Sequence, residues 1–161
     1  MKIHSGIVEV CVAELIGYRN NVIVPNVSWG LGLNHECDLL VLDKQGRFTE
    51  VEIKVSTADL KADFKKQHGH RSKFISRLIY AMPEELCKKH LDLIPENCGL
   101  IGVTESNYNK GNFKAYWIKQ CRHDKTKTKP EQKMIDNFYR LGCMRIWSLK
   151  KHNNRTKWKQ N

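Results

Sequence analysis

Residues 35–68 read HECDLLVLDKQGRFTEVEIKVSTADLKADFKKQH and predict two paired strands followed by a helix. The first strand is Glu36–Asp43, and the residues between its two ends are apolar except for one acid, Asp38. The turn that follows contains Gly46, which suits a tight hairpin. Apolar and polar residues alternate in Phe48–Val55, and successive side chains of a strand lie on opposite faces. One face of this second strand therefore carries Glu50, Glu52 and Lys54.

Pairing the two strands brings Asp38 close to Glu52, with the ammonium of Lys54 beside them. Two neighbouring carboxylates repel each other unless a cation lies between them. Carboxylate oxygens suit Mg²⁺, and a metal next to a lysine can neutralise the charge that develops on an attacked phosphodiester. These residues therefore predict a divalent-metal site that polarises phosphate. The alternative is an ordinary surface alternation at Glu52 and Lys54, with Asp38 facing a turn.

The composition predicts a globular protein of one domain. The chain has 161 residues and 40% hydrophobic content, which is enough for a proper core. No apolar run approaches the roughly 20 residues of a membrane helix, and the N-terminus shows no signal-peptide pattern. We therefore expect a cytoplasmic protein without membrane contact. The six scattered cysteines predict reduced core residues and no disulfide framework.

The excess positive charge is concentrated near the C-terminus. The net charge is +11, and residues 119–161 contain 13 of the 28 Lys and Arg but only 3 of the 17 Asp and Glu. Such a segment attracts polyanions, of which nucleic acid is the commonest in cytoplasm. The alternative is a solvated basic tail. We expect a core at residues 1–118 and a basic extension at residues 119–161, packed on the core or trailing from it.

The order of elements predicts an α/β fold with a mixed sheet flanked by helices. Residues 5–18 predict an N-terminal helix that is capped by Ser5 and ends near Gly17. Its predicted stripe runs through Ile7, Val10 and Cys11 to Glu14, and Glu9 lies on another face. Beyond it we expect strands at Val22–Trp29, Glu36–Asp43, Phe48–Val55, Lys73–Met82, Gly99–Thr104 and Phe113–Ile118, with helices over residues 58–67 and 84–90.

The C-terminal extension predicts one further helix and one further strand. Pro130 and Gly142 bracket a helix over residues 131–141, because proline favours a helix start and glycine a helix end. A strand is predicted at Met144–Leu149, and residues 150–161 are expected to be loosely ordered. The packing stripe of the helix consists of Met134, Ile135, Phe138 and Leu141.

The order of Glu14, Asp38 and Glu52-Ile53-Lys54 resembles the PD-(D/E)xK nuclease superfamily. The segment VEIKVSTADLKADFKKQH is similar to the strand–helix segment of the MmcB-like DNA repair proteins within that superfamily. The resemblance continues through YAMPEEL and the turn at residues 95–100, covers roughly residues 5–105, and does not include the basic extension. Cys37 stands where the proline of the motif would be.

The resemblance implies a restriction-endonuclease-like core with the order αβββαβ. In it, Asp38, Glu52 and the backbone carbonyl of Ile53 would hold Mg²⁺ or Mn²⁺, and Lys54 would orient or polarise the attacking water. Glu14 would be the helical acid that supports the metal, with Glu9 as the second choice. The implied activity is a Mg²⁺-dependent deoxyribonuclease, acting in DNA repair or in a phage or mobile-element setting.

Two further points stay open at this stage. The alternative to a nuclease is a non-catalytic DNA-binding module that retains the nuclease fold. Many enzymes of the superfamily dimerise, so a homodimer is also open. In either case the side chains expected to contact DNA are Lys61, Lys65, Lys66, Arg71, Lys73, Lys125, Lys127 and Lys129.

Overall fold

The computed structural model describes residues 3–28, 31–33, 35–65, 72–106 and 111–158. Within these ranges the chain forms a mixed α/β structure around a six-stranded sheet in the order β1-β2-β3-β4-β5-β6. Neighbouring strands are antiparallel except for the parallel pairs β3–β4 and β4–β5. The strands are β1 (Val22–Val27), β2 (Cys37–Leu42), β3 (Phe48–Ile53), β4 (Ile75–Pro83), β5 (Gly99–Glu105) and β6 (Phe113–Lys119).

Helices cover both faces of the sheet. Helix α1 covers one face, helix α4 covers the opposite face over the first three strands, and α2 and α3 lie on the same side as α4 over β4 and β5. The helices are α1 (Ser5–Ile16), α2 (Thr57–Asp63), α3 (Glu84–Lys89) and α4 (Gln132–Trp158). None of the described helices is both long and apolar enough to cross a membrane.

Strand β3 is central, and all six of its residues are buried. Val51 and Ile53 pack against α1, in a cluster with Val8 and Val12. The opposite face of the strand carries Glu50 and Glu52, followed by Lys54, and these are also buried. The predicted alternation is therefore present, but the polar face lies inside the protein and not on its surface.

Local signals in the sequence account for the ends of several elements. Gly46 adopts a φ of 73° in the β2–β3 turn, a conformation that glycine reaches without steric cost. Ser56 caps α2, since its hydroxyl accepts a hydrogen bond of 3.2 Å from the amide of Asp59. Gly17 ends α1 with a φ of 88°. The cap residue of α1 is His4, so the predicted cap at Ser5 was wrong. The six cysteines are free thiols, but Cys143 is exposed and Cys121 is half-buried, so the prediction of core residues holds for the other four.

The C-terminal elements differ from the prediction. Helix α4 continues through Gly142, so the helix end at that residue and the strand at Met144–Leu149 were wrong. Residues 150–158, expected to be loosely ordered, also belong to α4, and residues 159–161 lie outside the described residues. Gly142 has a packing role instead. A side chain at this position would begin 3.2 Å from the side chain of Val24 on β1, so glycine permits the close approach of helix and sheet.

The first three turns of α4 pack on the sheet. The ring of Phe138 is fully buried and meets Phe48 of β3 edge-to-face, with ring centroids 5.2 Å apart. Met134, Ile135 and Leu141 pack in the same cluster, as the predicted stripe requires. Later in the helix several large apolar side chains are exposed, including Ile146 and Trp147.

Replacement of Phe138 by alanine should lower the free energy of unfolding by about 3–5 kcal/mol, because it leaves a cavity between α4 and the sheet. Tyr139→Ala is the matched control, since Tyr139 is the next residue of the helix and is 46% exposed. It should change stability by less than about 1 kcal/mol. Urea unfolding monitored by circular dichroism measures both. Equal effects of the two substitutions would contradict the packing of α4 on β3.

Candidate active site

The candidate site lies where β2 begins and β3 ends. The paired residues of these two strands run from Leu42 and Phe48 to Leu39 and Val51. At the next position, the carboxylate of Asp38 accepts a hydrogen bond of 2.7 Å from the amide of Ile53. A side chain thus provides an acceptor for this amide just past the end of the strand ladder. Asp38 is therefore held against the end of β3.

The ammonium of Lys54 lies between two carboxylates. Its Nζ is 2.6 Å from Oε2 of Glu52 on β3 and 3.1 Å from Oδ1 of Asp63 on α2. All three side chains are at most 5% exposed. The hydroxyl of Tyr80 on β4 donates a hydrogen bond of 3.1 Å to the other oxygen of Asp63. This group of ionic and hydrogen-bonded contacts joins β3, β4 and α2 below the surface.

The two charged partners have shifted pKa values. Burial raises the pKa of Glu52 to about 7; Lys54 opposes that shift, and the charges of Glu50 and Asp38 add to it. Burial would lower the pKa of Lys54, but the carboxylates of Glu52 and Asp63 outweigh it and raise this pKa above its ordinary value. Lys54 is therefore protonated at neutral pH, whereas Glu52 can exchange a proton near neutrality.

The acid of α1 that approaches Asp38 is Glu9. Burial, and then the charge of Asp38, raise the pKa of Glu9, whereas Glu14 is exposed on the helix surface. The buried stripe of α1 runs through Val8, Cys11 and Val12. The predicted stripe was rotated from this one, because it included Val10, which is 59% exposed. The role of Glu14 stays a prediction, and the charge interaction with Asp38 favours Glu9, the second choice.

The structure divides the predicted DNA-binding lysines into two groups. Lys61 and Lys65 are exposed on or directly after α2, which follows the candidate site in the chain. The second group lies at the starts of β3 and β4, where the loop after β6 is anchored by Asp124, whose amide donates to the carbonyl of Ser76. This second group consists of Lys73, Lys125, Lys127 and Lys129. Lys66 and Arg71 lie outside the described residues.

The two groups are separated by the length of the central strands. Phe48 at the start of β3 pairs with Ile75, and Ile53 at its end pairs with Ala81. Five residues of strand span roughly 17 Å. Arg47 adds a further cation to the second group and lines a cavity there together with Lys125, Lys127 and Lys129. The basic loop of residues 125–129 thus lies at the other end of the sheet from Lys54.

A second cluster of polar donors lies further along the buried face of β3. Nε2 of His35 is 2.6 Å from Oε1 of Glu50 and 3.8 Å from the sulfur of Cys37. The three donor atoms all lie within 4.8 Å of one another. Sequence reasoning did not identify this cluster, nor Asp63. The available signals were that Glu50 shares its strand face with Glu52 and Lys54, and that His35 and Cys37 lie within three residues before Asp38.

Asp38 and Glu52 fit the divalent metal that the sequence predicts. Both offer the hard oxygen atoms that Mg²⁺ and Mn²⁺ prefer. The charge of Asp38 contributes to the raised pKa of Glu52, so the two carboxylates lie within range of mutual repulsion. A cation held by both would remove that repulsion. The Ile53 carbonyl belongs to the residue whose amide Asp38 binds, and its part as a ligand stays a prediction.

Comparisons with known proteins agree with the resemblance noted in the sequence. A family model described as DNA repair protein MmcB-like matches residues 4–153. The match extends well into α4, so the expectation that the resemblance ends near residue 105 and does not include the basic extension was wrong. A solved structure of a protein of unknown function from Silicibacter pomeroyi is similar, with 18% identity and a TM-score of 0.64. The alignment covers 98% of this chain and 96% of that chain; at this identity the likeness concerns the fold alone. No curated protein matches the chain.

Removal of the Lys54 charge should destabilise the protein in a pH-dependent manner. Lys54→Met leaves Glu52 and Asp63 buried without their cation and should cost about 3–5 kcal/mol at pH 8. At pH 5 the carboxyls can take up protons, and the loss should be smaller by more than about 1.4 kcal/mol, the equivalent of one pKa unit. Urea unfolding at the two pH values measures this difference.

The free energy of unfolding of the wild-type protein should also depend on pH, in a direction that follows from Glu52. Because burial raises the pKa of Glu52 from 4.5 to about 7, the native state holds a proton in that window that the unfolded chain has released. The free energy of unfolding should therefore fall as pH rises from 4.5 to 7. Lys61→Met, on the exposed side of α2, is the control and should follow the wild-type pH dependence. An equal loss for Lys54→Met at pH 5 and pH 8 would contradict the buried charge group.

Proposed function

The chain belongs to the MmcB-like family of DNA repair proteins, and from that premise we propose that it is a metal-dependent nuclease that hydrolyses DNA phosphodiester bonds. The observation that carries the proposal is the meeting of Asp38, Glu52 and Lys54 at the adjoining ends of β2 and β3. Two acids and a lysine in this arrangement are suited to binding a divalent cation and an anionic phosphate.

The order of the elements supports a restriction-endonuclease-like core. From α1 to β4 the chain runs helix, three strands, helix and strand, which agrees with the αβββαβ order that the resemblance implies. The candidate residues occupy the second and third of these strands. The carboxyl end of the third strand leads into α2, and the exposed Lys61 and Lys65 lie on or directly after that helix.

Asp38, Glu52 and the Ile53 carbonyl would hold the metal, and Glu9 would support Asp38 from α1. When bound, Mg²⁺ or Mn²⁺ would supply positive charge to the phosphate group under attack. Asp38 is already positioned by the amide of Ile53, so its orientation does not depend on the substrate. The charge of Glu9 would add to the attraction of the site for a cation.

Lys54 would act as a cation and hydrogen-bond donor and not as a base. Its pKa is raised above the ordinary value by Glu52 and Asp63, against the effect of burial, so it does not release its proton near pH 7. An ammonium has three N–H donors, and Glu52 and Asp63 account for two of them. The third can bind a phosphate oxygen or orient the attacking water.

The two groups of lysines would bind the DNA backbone. Lys61 and Lys65 can contact phosphates next to the scissile bond. For Lys66 and Arg71, which lie outside the described residues, contact with DNA stays a prediction. Lys73, Lys125, Lys127 and Lys129 would contact phosphates at the other end of the sheet. Each phosphate neutralised increases the salt dependence of binding. DNA that contacts both groups therefore binds with a steeper dependence on salt than DNA that contacts one.

The burial of Lys54 and Glu52 favours a second candidate function. Their side chains are only 5% and 2% exposed, which is also what an internal ion pair with a structural role requires. In that case the chain would be a non-catalytic DNA-binding protein that retains the nuclease fold. It would bind DNA in a salt-dependent manner and cleave none.

Mg²⁺ should stabilise the protein more at pH 8 than at pH 5.5, because below its pKa of about 7 Glu52 holds a proton that competes with the metal. At a metal concentration of about 100 times Kd the gain at pH 8 should be about 2.7 kcal/mol. Thermal unfolding with and without Mg²⁺ measures it. Glu9→Gln should weaken the effect and Glu14→Gln should not; the reverse result would return the helical role to Glu14.

Cleavage of single-stranded, duplex and branched DNA tests the activity itself. Asp38→Asn keeps an oxygen that can accept from the Ile53 amide but removes the charge, and should lower cleavage by roughly 100-fold or more. Asp59→Asn, an exposed acid on α2, is the matched control and should leave cleavage unchanged. Salt-dependent DNA binding by the wild type, with no cleavage in Mg²⁺ or Mn²⁺, would overturn the nuclease proposal and support the binding protein.

A further inference from the structure

The cluster of His35, Cys37 and Glu50 lies apart from the residues assigned to catalysis. Cys37 and Glu50 are fully buried, and the side chain of His35 is 14% exposed. Glu50 occupies the middle of β3, where Leu40 of β2 and Leu78 of β4 are its paired neighbours. A carboxylate at such a position requires a strong partner, because burial of an uncompensated charge is costly.

The donor atoms are spaced almost as a bound metal ion would require. Tetrahedral Zn²⁺ with bonds of about 2.0–2.3 Å separates its ligand atoms by about 3.4–3.6 Å. The sulfur of Cys37 is 3.8 Å from Nε2 of His35, close to that value. Nε2 of His35 and Oε1 of Glu50 are 2.6 Å apart, a hydrogen-bond distance that would open by about 0.8 Å as the ion replaced the proton.

We propose that His35, Cys37 and Glu50 form a second metal site, which binds Zn²⁺ or a similar transition-metal ion. Nitrogen, sulfur and oxygen donors together suit Zn²⁺ and Co²⁺, whereas Mg²⁺ prefers oxygen alone. On binding, Cys37 coordinates as the thiolate, and both its proton and the proton shared by His35 and Glu50 pass to solvent. Three protein ligands leave a fourth position, which water or another ligand can occupy.

The thiol distinguishes this site from a simple ion pair. The contact between His35 and Glu50 by itself would satisfy the buried carboxylate. The sulfur of Cys37, however, lies near the same imidazole nitrogen, so that all three donors converge on one small region. Glu50 and Glu52 share a strand face and lie about 7 Å apart. A cation bound here would therefore offset the negative charge of the strand face that also carries Glu52 of the candidate active site.

Cobalt binding to the full-length chain, after removal of metal with a chelator, tests the proposal. One equivalent of Co²⁺ should produce a near-ultraviolet charge-transfer band from thiolate to cobalt, and Zn²⁺ should displace it. Cys37→Ser should remove the band. Cys143→Ser is the matched control, because Cys143 is an exposed thiol on α4, and it should keep the band. The absence of the band in the wild type, or its persistence in Cys37→Ser, would overturn the proposal.

A second variant guards against misfolding at the buried Cys37. His35→Gln alters a side chain that reaches the surface, and it should weaken Zn²⁺ binding by at least about tenfold. Its circular dichroism spectrum without metal should match that of the wild type. An unchanged Zn²⁺ affinity in a folded His35→Gln protein would mean that His35 contacts Glu50 without binding a metal, and would overturn the proposal. Asp38→Asn should keep the cobalt band, so a failure of the nuclease proposal can be told apart from a failure of this one.

Discussion

The buried ammonium of Lys54, between the carboxylates of Glu52 and Asp63, is the contact on which the rest of the site depends. It joins the end of β3 to α2 and, through Tyr80, to β4. Two acids at these positions could not remain ionised inside the protein without a cation between them. The negative charge of these two carboxylates in turn keeps Lys54 protonated. One interaction therefore holds a helix on the sheet and determines how the lysine can act chemically.

The sheet has two faces of different character around this contact. The α1 side of β3 carries Val51 and Ile53 in a continuous apolar core. The other side carries a row of ionisable groups from Glu50 to Lys54, covered by helices and not by water. Burial of such a row requires that each charge has a nearby opposite charge or hydrogen-bond donor. The contacts of Glu50 with His35 and of Glu52 with Lys54 meet that requirement.

The candidate site could be predicted in part from local sequence. The strand period placed Glu50, Glu52 and Lys54 on one face, and the hairpin brought Asp38 to the end of β3. Asp63 and Glu9 could not be assigned in this way, because each reaches the site from a helix whose rotation on the sheet depends on packing. The rotation of α1 illustrates the difficulty. An apolar stripe through Val10 is almost as regular in sequence as the buried stripe through Val8 and Val12.

The sequence by itself determined the local features: the turn at Gly46, the cap at Ser56, the alternation of β3 and the resemblance to the MmcB-like family. Only the tertiary structure decided that the charged face of β3 is buried, that α4 continues past Gly142, and that His35, Cys37 and Glu50 meet. The physical reason is that periodicity specifies which side chains share a face, whereas what covers that face depends on contacts between residues distant in the chain. Gly142 is an example. A glycine stands at this position because α4 passes close to Val24 of β1, and its weak helix propensity does not end the helix there.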